Sequence, residues 1–130
     1  MKPGIRIGQQ AEFEVIVTEA MQAQFNGNVV HPLYSTSAMI THMEWTSRQH
    51  ILPFLEEGEE GVGYHVSLDH LGTAPIGAII RIVSMVTGLK PGRVICHCEA
   101  FHRERKIGQG YIVQAILPLA KLRDKIASDY

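Results

Sequence analysis

Residues 35–55 read STSAMITHMEWTSRQHILPFL, and the apolar positions Ala38, Met39, Ile40, Met43, Ile51, Phe54 and Leu55 recur within them at helical spacing. Ser35, Thr36 and Ser37 offer three possible N-caps ahead of the apolar run, so the stretch predicts the one long helix of the chain. At about 100° per residue, Ile40, Met43, Ser47, Ile51 and Phe54 fall on one stripe, and Ala38, Trp45 and Leu52 form a second on the far side. A helix apolar on two sides is expected to be wrapped by the rest of the chain. The acidic run Glu56-Glu57-Gly58-Glu59-Glu60-Gly61 then ends it in a solvated turn.

Working outward, residues 12–18 alternate around Phe13, Val15 and Val17, the period of a half-buried strand. Residues 22–33 carry the turn signal Asn26-Gly27-Asn28 and the breaker Pro32, which predicts a loop acting as a lid or site wall. Downstream, four strand-like segments span 62–72, 76–89, 93–104 and 108–117. Their short separators predict an antiparallel meander, and strands longer than the usual length of about five or six residues predict strong curvature. Residues 119–130 read as a short charged helix. The sum is an α+β fold, one long helix wrapped by a curved five-stranded antiparallel sheet. One helix leaves such a sheet with exposed edges, and pairing of two copies edge to edge would remove them, so a homodimer is expected.

The 130 residues fit a single domain, 1–130. Twelve Lys and Arg against thirteen Asp and Glu leave a formal charge of -1, which gives no electrostatic reason for a nucleic-acid or anionic-membrane partner. The 45% hydrophobic and 19% charged content describes a globular chain rather than a disordered one. With no long apolar run, and Met1-Lys2 leading straight into Pro3-Gly4, neither a membrane span nor a leader is expected, and the chain reads as cytoplasmic. Cys96 and Cys98 share one face of a strand and read as reduced thiols. Seven histidines and Cys96-His97-Cys98 raise the question of a metal, but His97 points away from both thiols and no second Cys/His pair has zinc spacing, so none is expected.

Three residues break their local pattern. Counting from Val62, Tyr64, Val66 and Leu68 places His70 on the apolar face of its strand, where a neutral imidazole can act as general base or settle as a hydrogen-bonded core histidine. Glu44 lies about 80° from Thr36 on the helical wheel, at the margin of the apolar stripe. There it is either a half-sunk carboxylate with a raised pKa or a rim partner of Arg48 one turn on. Thr36 at the helix start is an N-cap or a hydroxyl beside free backbone N–H groups suited to an oxyanion. Thr36 and Glu44 are eight residues and about 12 Å apart on an ideal helix, so a bridge is needed, and His70 is a candidate.

The run Tyr34-Ser35-Thr36, the triplet Met43-Glu44-Trp45, the helix exit Pro53-x-Leu55-Glu56-x-Gly58-Glu59 and the turn Asp69-His70-x-x-Thr73-Ala74-Pro75-x-Gly77 resemble hot-dog-fold thioesterases of the fluoroacetyl-CoA thioesterase type. Met1-Lys2-x-Gly4-x-Arg6-x-Gly8 and Ile107-Gly108-x-Gly110 fit as well, so the resemblance covers nearly the whole chain. It implies a catalytic set of Thr36, Glu44 and His70, a substrate contact through the Gly63 backbone, and dimers with sites at the subunit interface. The family's aromatic lid is matched here by Val29, Val30 and His31, and its last-strand arginine by Gln114, which becomes the substrate-binding counterpart. The implied activity is therefore hydrolysis of a short or medium acyl-CoA to a carboxylate and a free thiol, with fluoroacetyl selectivity not implied. No metal or resident cofactor is expected, because coenzyme A is part of the substrate and its thiolate is already a good leaving group.

Two other functions compete. A non-catalytic acyl-CoA or small-ligand binding module would keep the pocket and saturate without turnover. A hot-dog enoyl-CoA hydratase would consume the enoyl group without releasing thiol.

Overall fold

The computed structural model describes residues 1–129. In chain order it contains β1 (Gln10–Ile16), β2 (Gln22–Phe25), β3 (Asn28–Tyr34), α1 (Thr36–Ile51), β4 (Glu59–His70), β5 (Ile79–Lys90), β6 (Arg93–His102), β7 (Arg105–Pro118) and α2 (Leu119–Asp129). Short 3-10 turns at Glu19–Met21 and Leu52–Phe54 precede β2 and follow α1. Five strands form one antiparallel sheet in the order β1-β5-β6-β7-β4, and β2 pairs with β3 in a separate hairpin. The expected α+β arrangement, one long helix against a five-stranded antiparallel sheet, is what the chain adopts. Among the described residues no helix is long and apolar enough to cross a membrane. Tyr130, the last residue of the expected C-terminal helix, lies outside the described residues.

Of the three possible caps, Ser35 takes the role: its backbone is extended and its hydroxyl accepts the Ala38 N–H at 3.1 Å. Such a cap contributes about 1 kcal/mol. At the other end the helix tightens into the 3-10 turn at Pro53, which has no N–H to continue the ladder. The acidic run then reverses at Gly58, whose φ of 83° suits glycine, and Glu59 closes the turn by bonding back to Glu56.

Met39, Met43 and Ile51 of α1 are fully buried against Ile80, Ile82 and Val86 of β5, with Cys96 and Cys98 of β6 in the same core. The expected stripe is right at Met43, Ser47 and Ile51, but Met39 rather than Ile40 faces the core. The second stripe is not covered: Trp45 is 49% and Leu52 40% exposed. Within one chain the sheet packs against the Met39, Met43 and Ile51 side of the helix and leaves Trp45 and Leu52 exposed. His97, between the two thiols, sits on the opposite sheet face against the Tyr111 ring.

Three connections differ from the sequence-based expectation. First, β4 pairs with β7 and not with β5, so the four downstream strands are not a simple meander. The segment between β4 and β5 is no tight turn but a tether, held by Tyr34 N–H to the Ala74 carbonyl and by Leu71 and Gly72 N–H to the Ile107 carbonyl. Second, residues 22–33 are not a loop but most of a hairpin. Asn26 and Gly27 both have positive φ, as a two-residue hairpin turn requires, and the register slips beside Pro32, which cannot donate to a ladder. Third, β4 carries an irregularity at Tyr64. This extra residue reverses the alternation, so Gly61 and Gly63 share the helix side with Val66, Leu68 and His70, while Val62 points away.

Gly110 lets β7 approach β4, because a Cβ there would strike the Ser67 carbonyl. Strand β4 has β7 on one side and, among the described residues, no strand on the other, and residues 63–67 are exposed along it.

Candidate active site

With Ser35 occupied as the cap, the Thr36 hydroxyl is free for another partner. It lies 2.7 Å from Nδ1 of His70, the last residue of β4. His70 stands opposite Gly108 of β7 on the helix side of the sheet, and the tether brings its strand end under the start of α1. Tyr34, fully buried, fixes that start: its hydroxyl shares a hydrogen bond with His42 Nδ1 at 2.5 Å, and the two rings stack. The cap uses the Ala38 N–H and the Ser35 carbonyl accepts that of Met39, leaving the N–H groups of Thr36 and Ser37 without a partner inside the helix.

Burial pushes the His70 pKa below that of a free imidazole, hydrogen bonding to the Gly72 backbone opposes the shift, and nearby His31 lowers it further. The ring is therefore neutral at pH 7. If Thr36 donates to Nδ1, the buried Nε2 carries the proton; if Nδ1 donates to Thr36, Nε2 is a free base. Either way Nε2 has no hydrogen-bond partner among the described residues. A threonine hydroxyl, a neutral imidazole and unpaired N–H groups at a helix N-terminus form an arrangement that can polarise a carbonyl and move a proton beside it.

The pair opens into a cleft of about 680 Å³ between the start of α1, the β2–β3 hairpin and the tether. Phe25, Val30 and Ile40 supply apolar wall, and His31, Ser37 and Thr73 polar wall. The hairpin thus performs the wall role expected of residues 22–33. His31 is a site residue that the sequence reading names only as a departure from the family lid. No periodicity could single it out, because the register slips within its hairpin.

Glu44 does not join this cleft. It is exposed rather than half-sunk, since the sheet leaves that side of α1 uncovered. Nor does it pair with Arg48, whose guanidinium instead meets Glu60 of β4 at 2.5 Å. Its Oε2 lies 3.7 Å from where a Cβ on Gly63 would stand, and a separate groove of about 250 Å³ contains Glu44, Gly63 and Gln114. Gln114 is 6% exposed, with Nε2 unpartnered among the described residues. The five expected site residues therefore divide into two groups, Thr36 with His70 and Glu44 with Gly63 and Gln114. His70 does not bridge them within the chain.

A long helix on an antiparallel sheet, with a hydroxyl–imidazole pair at its N-terminus, defines a hot-dog-fold protein, and a hot-dog-like protein from Thermanaerovibrio acidaminovorans superposes with a TM-score of 0.87 at 16% identity, covering 95% of this chain and 92% of its own. The model of the fluoroacetyl-CoA-specific thioesterase family matches residues 17–120, and the chain belongs to that family of thioester hydrolases. A Thermus thermophilus protein described as a thioesterase superfamily member is 41% identical with a TM-score of 0.93, over 98% of this chain and 94% of its own. The fluoroacetyl-CoA thioesterase of Streptantibioticus cattleyicolor is 22% identical over 136 residues, covering 97% of this chain and 95% of its own.

Proposed function

We propose that this chain hydrolyses short or medium acyl-CoA thioesters in a site completed by two copies, with Thr36 and His70 from one and Glu44, Gly63 and Gln114 from the other. The observation that carries this reading is the division of the set into two groups flanking the unpaired edge of β4. An antiparallel two-fold pairing of β4 edges centred between Val66 and Ser67 sets His70 of one copy opposite Gly63 of the other. It also covers exposed Tyr64 and Val66 and removes an open edge.

In the completed site, N–H groups at the start of α1 and the Thr36 hydroxyl polarise the thioester carbonyl. Glu44 either takes a proton from an attacking water or itself attacks the carbonyl carbon to give an anhydride that water then opens. In both routes the carbon–sulfur bond breaks, the thiolate leaves, and His70 manages its proton. The thiolate leaves readily, so the reaction needs no metal, and coenzyme A arrives and departs with the substrate. The two buried free thiols, Cys96 and Cys98, suit a cytoplasmic setting.

The supporting relative is named for fluoroacetyl-CoA, whereas the lid positions here hold Val29, Val30 and His31 and the last strand holds Gln114. The substrate proposed is therefore a short or medium acyl-CoA, with no selectivity for the fluoroacetyl group. Thiol release across an acyl-CoA chain-length panel tests it: wild-type turnover abolished in both His70→Ala and Glu44→Gln supports the set, and undiminished turnover in both rejects it. Binding without thiol release would identify a ligand-binding module, and loss of enoyl absorbance without thiol release a hydratase.

A further inference from the structure

We propose that the turn joining β6 to β7, headed by Arg103 and Arg105, docks the phosphate-bearing nucleotide end of coenzyme A. The inference rests on the acyl-CoA reading and assigns the part of that substrate outside the cleft. The chain as a whole is nearly neutral, yet residues 102–106, His102-Arg103-Glu104-Arg105-Lys106, gather three permanent cations against one carboxylate, Glu104. The cleft contributes the complementary observation, since no Lys or Arg lines it. A thioester whose acyl end enters beside His70 must leave its phosphates at the mouth, where charge has to be met by groups outside the lining.

Arg105, at the β7 end of the turn, stands at that mouth. The Ile107 carbonyl accepts the N–H groups of Leu71 at 2.8 Å and Gly72 at 3.0 Å, and Arg105 Nη2 donates to the Thr73 carbonyl at 2.8 Å. Leu71, Gly72 and Thr73 all line the cleft. The bond to Thr73 uses one of five guanidinium donors and orients the rest, which suits phosphate recognition. Arg103 sits at the turn with a left-handed φ of 57°, is exposed, lines an adjoining groove with Glu14 and Arg81, and forms no ion pair among the described residues, so its side chain is the one left to reach from that groove toward the phosphates. Lys106 is drawn away to Glu99 at 2.6 Å and Gln109 at 3.3 Å, so the two arginines carry the proposal.

The coenzyme offers a 3′-phosphate and a 5′-pyrophosphate, and the test separates them. Thiol release is measured with one acyl group on coenzyme A, on 3′-dephospho-coenzyme A and on pantetheine, for wild type, Arg103→Gln, Arg105→Gln and the control Lys90→Gln at the far end of the sheet. The expected result is a fall of roughly tenfold in the kcat/KM ratio of the CoA over the pantetheine thioester in each arginine variant, with the ratio retained in the control. A smaller fall on the dephospho substrate assigns the 3′-phosphate, and an equal fall assigns the pyrophosphate. An unaltered ratio in Arg103→Gln, or equal losses on the CoA and pantetheine thioesters, overturns the proposal. Calorimetric titration with free coenzyme A keeps the two readings apart: binding weakened by Arg103→Gln upholds the docking turn even if no thioester is turned over, and absence of binding to wild type rejects it.

Discussion

The Thr36 hydroxyl lies 2.7 Å from His70 Nδ1 across a separation of 34 residues. The contact depends on a division of labour at the helix start, where Ser35 caps the backbone and so leaves its neighbour's hydroxyl free. Substituting Thr36 by Ser preserves the hydroxyl, whereas Val preserves only the shape. Thiol-release kinetics are expected to show activity largely kept in Thr36→Ser and lowered by roughly 10²-fold or more in Thr36→Val.

A site shared between two copies makes a prediction that a site within one chain does not. His70→Ala and Glu44→Gln chains, each inactive alone, are unfolded together and refolded as a mixture. Random pairing makes half the dimers mixed, and each mixed dimer has one intact site of two, so about a quarter of wild-type thiol release should return. A mixture that stays inactive, while its dimers are shown to have exchanged, would reject the shared site.

The pH dependence of turnover follows from His70. Its neutral form is required, and burial with His31 nearby holds its pKa below the ordinary imidazole value. Activity should therefore persist as pH falls through about 6.5 and decline only on a more acidic limb. In His31→Gln one lowering influence is gone, and the acid limb should move toward neutral pH in a kcat/KM profile.

A second histidine governs stability instead. His50 is buried, its Nε2 donates to the Ser84 carbonyl at 3.0 Å and its Nδ1 accepts from Gln9, whose own Oε1 is engaged by the Arg6 N–H. Burial lowers its folded pKa, with the Ser84 bond opposing. The unfolded chain then binds the proton more readily, so stability is full above about pH 6.5 and falls as pH drops below it toward the depressed folded value. Half-buried His42 and His70 shift in the same direction and add to the slope. Thermal melts at pH 7.5 and 5.5 should show a lower Tm at 5.5, with a smaller difference in His50→Gln.

Gly110→Ala tests the seam between β7 and β4. The new methyl meets the Ser67 backbone carbonyl, which cannot rotate aside as a side chain could. A loss of about 1–3 kcal/mol is expected in urea denaturation. Because β4 also carries His70, thiol release should fall in the same variant.

The helix over 35–55, the strand period of 12–18 and the punctuation of the later strands are local properties, so their residues alone reveal them. The apolar stripe is nearly right for the same reason, and its error is one of rotation, Met39 in place of Ile40. Pairing partners are another matter. Whether β4 lies beside β5 or β7 depends on the tether over 71–78, whose bonds to Tyr34 and Ile107 form only once distant segments meet. The extra residue at Tyr64 is likewise invisible in an alternation count, since it is defined by the partner strand.

The same boundary runs through the site. Thr36, His70 and Glu44 each disturb a local pattern, and their residue types already suggest acyl-transfer chemistry. Only the packed chain decides that Thr36 meets His70 while Glu44 opens beside Gly63 and the unpaired edge of β4, because a rigid helix holds residues eight positions apart too far from each other to share one small site. The hairpin wall with His31 and the cationic turn at Thr73 are also products of packing, made of residues whose own neighbours in the chain say nothing about the cleft they flank.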